Sequence, residues 1–266
     1  MKLITDLATL QQFVSNLLQS VKGETSLFDK ISVHLESAEN WLKSQFIANL
    51  DNLSDDVMRC CRQIVAAEAL RQAIPSLDLV FTPNGFAVTQ TSNLTPASKQ
   101  RVDRLIASML ALRDDAIGQF LSFLPKLQNA NTAFFGATLF PDFAILDAMG
   151  ITERKWEKYL ELRSQIVDLE ASLAEEWFAP ELMAELRQRN LCGDAAVHEQ
   201  RLITAIQSQI LGYLRSETFN SRRLADIVNY IRLHPDKFPL WHNSDTSKLF
   251  SPPKFVNSKK STGYWF

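Results

Sequence analysis

Glycine and proline are scarce in this chain, with eight and ten among 266 residues. Long stretches therefore run without a breaker, which disfavours a many-stranded sheet and favours helices. Cysteine is scarcer still. Cys60, Cys61 and Cys192 are an odd number, and two of them are adjacent in an apolar run. They make no disulfide framework and no Cys-x-x-Cys redox pair; buried free thiols in a reducing compartment are expected. No charge sign dominates: 28 Lys and Arg face 30 Asp and Glu, for a net charge of −2. That balance argues against a general nucleic-acid binder, which needs a concentrated basic field. No stretch approaches the roughly 18 apolar residues of a membrane span. The opening MKLITDLATLQQFV has acidic and polar residues among its apolar ones, so no signal peptide is expected.

Chemical motifs are equally thin. His34, His198, His234 and His242 lie far apart and share no metal-ligand spacing with Cys or acids. No G-x-G-x-x-G, phosphate loop, G-x-S-x-G elbow or Glu-x-x-His bundle motif occurs. Catalytic, cofactor and metal residues are therefore expected to be none, and the chain is read as no enzyme. Glu39 and Glu68 are expected in helices as structural ion pairs or solvated acids.

What is abundant is apolar residue at helical spacing; 46% of the chain is hydrophobic, enough for a substantial core. Helices are predicted over 6–21, over a segment through Trp41 and Leu42 that opens on Ser26 and Asp29, and over 55–74 after the Ser54 cap. Further helices are predicted over 97–124 from a Thr95-Pro96 start, from Thr152 to about Glu176, and from Pro180 to about Arg189. The last two cover 194–217, with Val197 in its apolar stripe, and 221–234, with Leu233 in its stripe. Residues 77–90, LDLVFTPNGFAVTQ, carry the β signal: Asn84-Gly85 suits a tight turn flanked by β-formers. The fold class expected is mainly α, a multi-helix bundle with one small inserted β-hairpin.

Four regions follow: 1–125, helical with the hairpin; 126–150, a linker pinned by Phe134, Phe135, Phe140 and Phe143; 151–235, helical; and 236–266, an irregular basic and aromatic tail. AENWLKSQFIANL from Ala38 echoes EASLAEEWFAPEL from Glu170, with Phe46 opposite Phe178. The echo has two readings, a pair of related helical units or the amphipathic pattern common to helices. Phe81, Asn84, Gly85 and Phe86 of the hairpin and Tyr264, Trp265 and Phe266 of the tail are the expected subunit contacts. Arg101 and Arg104 on one helix face, with Lys259 and Lys260 of the tail, are the candidates for contact with a DNA backbone.

The order AENWLKSQFIANL, CCRQIVAAEALRQAIPSLDLVFTPNGFAVTQ and NLTPASKQRVDRLIASMLALRDDAIGQFLSFL resembles a family of uncharacterised proteins from gut Bacteroidetes and their phages or prophages. The features that carry it are Ala38-Glu39, the alanines from Ala66 to Ala73, Asn84-Gly85 and Pro96-Ala97-Ser98. Members look like head–tail connector, or adaptor, proteins. The resemblance implies a structural homo-oligomer, a ring docking portal and tail proteins, with DNA only a non-specific channel contact and no cofactor. It implies the bacterial cytoplasm, and the virion if the phage is active. The alternatives are a helical protein-interaction module of a bacterial cell and, behind it, an enzyme with an unfamiliar helical active site.

Overall fold

The computed structural model describes residues 2–14, 26–77, 79–82, 85–88, 98–127 and 130–251. Helices are α1 (Leu7–Gln11), α2 (Leu27–Gln45), α3 (Asp55–Ala73), α4 (Lys99–Ser122), α5 (Thr132–Phe135), α6 (Ala144–Ala148), α7 (Lys155–Leu173), α8 (Pro180–Cys192), α9 (Val197–Ser216), α10 (Ser221–Arg232), α11 (Pro239–His242) and α12 (Asp245–Leu249). Their starts follow local chemistry. The Ser26 side chain accepts the Asp29 N–H, and its hydroxyl donates back to the Asp29 carboxylate. Ser54 caps α3 by accepting from the Val57 N–H, with Asp55 and Asp56 in the first turn at the positive end of the dipole. Pro75 and Pro125 sit in short 3₁₀ turns that close α3 and α4. The predicted Thr95-Pro96 start lies outside the described residues; α4 begins after Ser98.

The chain divides into two compact units. Unit 1 comprises Met1–Val167 and Arg187–Ala195; unit 2 comprises Asp168–Leu186 and Ala196–Phe266. In unit 1, α3 packs against α2 and α4. Its small residues Ala66, Ala67, Ala69 and Ala73 are all fully buried, which permits close approach of neighbours on several sides. Around Phe46 the rings of Trp41, Phe120, Phe135 and Trp156 meet at centroid distances of 4.6–6.0 Å. Phe135, Phe140 and Phe143 of the aromatic segment are buried in the same unit. Side chains accept the polar needs of that segment: Tyr159 donates to the Phe140 carbonyl at 2.7 Å, Asn190 to that of Leu139 at 2.9 Å, and Arg163 to that of Phe134 at 2.8 Å.

In unit 2, Leu202, Ile203, Ile206 and Ile210 of α9 and Leu224, Val228 and Ile231 of α10 are buried. A π-helical turn, Ala174–Phe178, follows α7 and ends on Ala179 at φ +69°, a left-handed conformation that costs a residue with a Cβ. The free carbonyls of that turn are used: Trp241 Nε1 donates to Trp177 O at 2.9 Å and Thr246 Oγ1 to Glu175 O at 3.3 Å.

Three expectations need correction. The fold is an α-helical bundle, not a bundle with a hairpin as one of its components. Leu79–Thr82 and Gly85–Val88 lie antiparallel over four residues each, but they pair only with each other. A two-stranded ladder of that length is no sheet layer and adds no independent stability, so the fold rests on its helices. The two echoing corners also differ. Phe46 is a right-handed cap directly after α2, whereas Phe178 closes a π turn before a left-handed alanine. Finally, residues 236–251 are not an irregular tail, because α11 and α12 form there and bury Phe238 and Trp241.

The cysteines also split. Cys60 and Cys61 are buried, and burial pushes the Cys61 thiol up to about 12; Cys192 is exposed, against expectation. A thiol reagent should therefore label one cysteine rapidly in the native protein and all three in denaturant. Rapid native labelling of Cys60 or Cys61 would contradict the packing of α3.

Candidate interaction surface

Unit 1 is organised by a charged cluster that the helical pattern itself positions. Met109, Arg113, Ala116, Ile117 and Phe120 recur at three- and four-residue spacing along α4, and all are buried. Arg113 thus points inward with the apolar residues. Its guanidinium is 2% exposed and bonds to Glu68 of α3 at 3.1 Å, to Asp114 at 2.7 Å and to both oxygens of Glu157 of α7 at 2.8 Å. Glu68 is held further by Arg71 at 2.6 Å and by Gln72 at 2.9 Å. The Trp41 ring lies 5.9 Å from the Arg113 guanidinium, a cation–π contact from α2.

The two buried acids respond differently. For Glu68, burial works to raise the pKa, but the hydrogen bonds from Arg71 and Gln72 and the charges of Arg71 and Arg113 outweigh it. Its carboxyl is held below the usual range. For Asp114, burial prevails over Arg113 and the carboxyl is pushed up. Asp114 Oδ2 is buried with no hydrogen-bond partner. The cluster contains one buried guanidinium against three carboxylates and serves as an ionic clamp on α3, α4 and α7. Glu39 is separate: it accepts from Lys43 at 2.7 Å and from the Leu3 N–H at 3.0 Å.

The predicted contact residues are placed unequally. Arg101 and Arg104 are exposed, three residues apart near the start of α4, beside exposed Lys99. Phe81 pairs in register with Phe86, and Gly85 with Thr82. Asn84, Lys259, Lys260, Tyr264, Trp265 and Phe266 lie outside the described residues.

Unit 2 carries a surface that the helical pattern conceals. Val197 and Leu233, assigned by spacing to buried stripes, are 77% and 74% exposed, and Leu240 is also exposed. A chain of rings brings their elements to one end. His198 meets Phe238 at 5.4 Å, Phe238 meets Tyr230 at 5.8 Å, and Tyr230 meets His234 at 4.6 Å. The start of α9, the end of α10 and the start of α11 are thereby gathered, and each presents an aliphatic side chain to solvent. Alongside, Leu202, Ala205, Ile227 and Tyr230 line a groove of about 330 Å³ between α9 and α10, flanked by Arg201 and Asp226. Clustered exposed aliphatics beside an apolar groove mark a contact surface more than a chemical centre.

Among the described residues no group of His, Cys, Asp or Glu could hold a metal ion, and no helix is long and apolar enough to cross a membrane. The fold and this surface define an α-helical bundle protein with an apolar contact face. More particularly, the chain belongs to a family of unknown function, DUF6712, whose model matches residues 14–138 and 212–251, more than half of the chain. No curated protein and no solved structure matches it.

Glu68 yields a prediction with a definite sign. Its folded pKa is depressed, so its contribution is full above the unfolded value and is lost as pH falls through the folded one. Glu68→Gln should therefore be less stable than the parent at pH 7. The gap should narrow below about pH 4, near the ordinary carboxylate range. Urea unfolding at pH 7 and pH 3 measures both gaps; equal gaps would contradict the clamp.

Proposed function

We propose that this chain is a structural assembly subunit of the head–tail connector type. It associates with copies of itself into a ring, docks portal and tail proteins, and acts through complementary surfaces without catalysis. The observation that carries this reading is the apolar end of unit 2, where Val197, Leu233 and Leu240 stand exposed on three elements tied together by rings. Leaving such a surface in water forfeits about 25 cal/mol for each Å² of apolar area that a partner would cover. A second copy is the partner that the connector resemblance implies. The segment with Phe81, Gly85 and Phe86, and the end of the chain with Tyr264, Trp265 and Phe266, are further contacts in this reading. Exposed Arg101 and Arg104 give it a modest basic face for a DNA backbone. Its place is the bacterial cytoplasm and, in an active phage, the virion.

Light scattering behind size-exclusion chromatography tests self-association over a wide concentration range. The unaltered protein should form oligomers whose mass grows with concentration. Val197→Glu with Leu233→Glu, both at exposed positions, should return it toward monomer while leaving its helical circular dichroism intact. A strict monomer for the unaltered chain over the whole range would overturn the reading.

A further inference from the structure

Where α9 hands the chain to α10, unit 2 holds a polar pocket that the assembly reading does not use. α9 ends at Glu217 in a left-handed turn, and Asn220 starts α10 by accepting the Arg223 N–H at 3.1 Å. Ser216 donates to the Gly212 carbonyl at 2.8 Å, which fixes the wall of the turn. Ser208, Gln209 and Gly212 of α9, residues Ser216 to Asn220 without Glu217, and Arg223 enclose about 470 Å³. A Cβ added at Gly212 would meet nothing within 4 Å, so this wall is open.

Three independent features there favour negative charge. Arg223 is the one charged residue of the lining, and no carboxylate shares it. The pocket also borders the start of a twelve-residue helix, the positive end of its dipole. Above all, Gln209 is only 5% exposed, yet its side-chain amide makes no hydrogen bond among the described residues. Its polar atoms are not sealed from solvent, and the space they open into is this pocket. A nearly buried amide without a partner is uncommon, because its desolvation goes uncompensated; a ligand oxygen supplies the missing acceptor.

We propose that this pocket binds a phosphate group. The Arg223 guanidinium supplies the charge and the Gln209 amide a donor from the buried side. The hydroxyls of Ser208 and Thr218 add donors on other sides. Donors on several walls suit a tetrahedral oxyanion better than a planar carboxylate, which a single guanidinium satisfies. The phosphate can be carried by a nucleic-acid backbone or by a small phosphate ester; the chemistry of the pocket is the same.

Calorimetric titration of the full chain with inorganic phosphate, at constant ionic strength, tests the assignment. Saturable binding is expected, weakened about tenfold or more by Arg223→Ala at an exposed position and by a smaller factor in Gln209→Leu. Arg101→Ala, remote in sequence on α4, should leave it unchanged. A short DNA duplex that displaces phosphate in an Arg223-dependent, salt-sensitive way assigns the phosphate to a backbone. A nucleoside monophosphate that binds more tightly than phosphate, with no competition from duplex, assigns it to a small ester. Absence of saturable binding, equal affinity in Arg223→Ala, or acetate binding as well as phosphate would each overturn the proposal. None of these outcomes depends on self-association, which Val197 and Leu233 test separately.

Discussion

The helices of unit 1 are arranged around one buried positive charge. Burying a guanidinium costs several kcal/mol in real proteins, and the cost is offset only by close, well-directed partners. Arg113 has them from three helices: Glu68 from α3, its neighbour Asp114 on α4, and Glu157 from α7, with the Trp41 ring of α2 beside it. Apolar packing alone tolerates small slides of one helix past another. A guanidinium with directional bonds to several carboxylates does not. The clamp is also incompletely compensated, since Asp114 Oδ2 is buried without a partner and its carboxyl is pushed up. Stability here is exchanged for a single arrangement of helices.

Unit 2 is held differently. Its interior is aliphatic along α9 and α10, and its directional contacts serve the backbone: Trp241 and Thr246 satisfy carbonyls that a π turn leaves free. These bonds explain why α11 and α12 fold onto the body despite their short length. They also hold the ring chain of His198, Phe238, Tyr230 and His234, which gathers Val197, Leu233 and Leu240 at one end. The polar pocket lies at the Glu217–Asn220 turn, where α9 ends and α10 begins, and is lined by other residues. The contact surface and the pocket are therefore separable by mutation.

Much of the helical framework was legible from spacing and caps. Ser26 and Ser54 mark real starts, and Pro75 and Pro125 real ends, because capping is a local property. Glu68 as a structural ion pair was also readable. Arg113 was not singled out, although its place in the Met109–Phe120 stripe carries the signal: a charge on an apolar face must have a partner. The exposure of Val197 and Leu233 was misread, because each sits at a helix end where the stripe no longer faces a neighbour. The Asn84-Gly85 turn chemistry is local as well, and it could not say that the flanking segments pair with nothing beyond themselves. Gln209 falls within the buried run of α9 and is indistinguishable there from a solvated glutamine. Its value lies in a missing bond that only the tertiary structure reveals.

Assembly, if it is to use a surface built on fixed helices, presupposes that each subunit holds one arrangement. For unit 1 that requirement comes down to whether Arg113 and Glu68 act together. A double-mutant cycle of Arg113→Met and Glu68→Met, followed by urea unfolding at pH 7, measures it directly. Each single change leaves an unmatched buried charge and should cost about 3–5 kcal/mol. The double variant should be less destabilised than the sum by about 1–3 kcal/mol. Effects that add to within about 0.5 kcal/mol would mean that the two charges are not coupled, and that the helices of unit 1 are set by apolar packing alone.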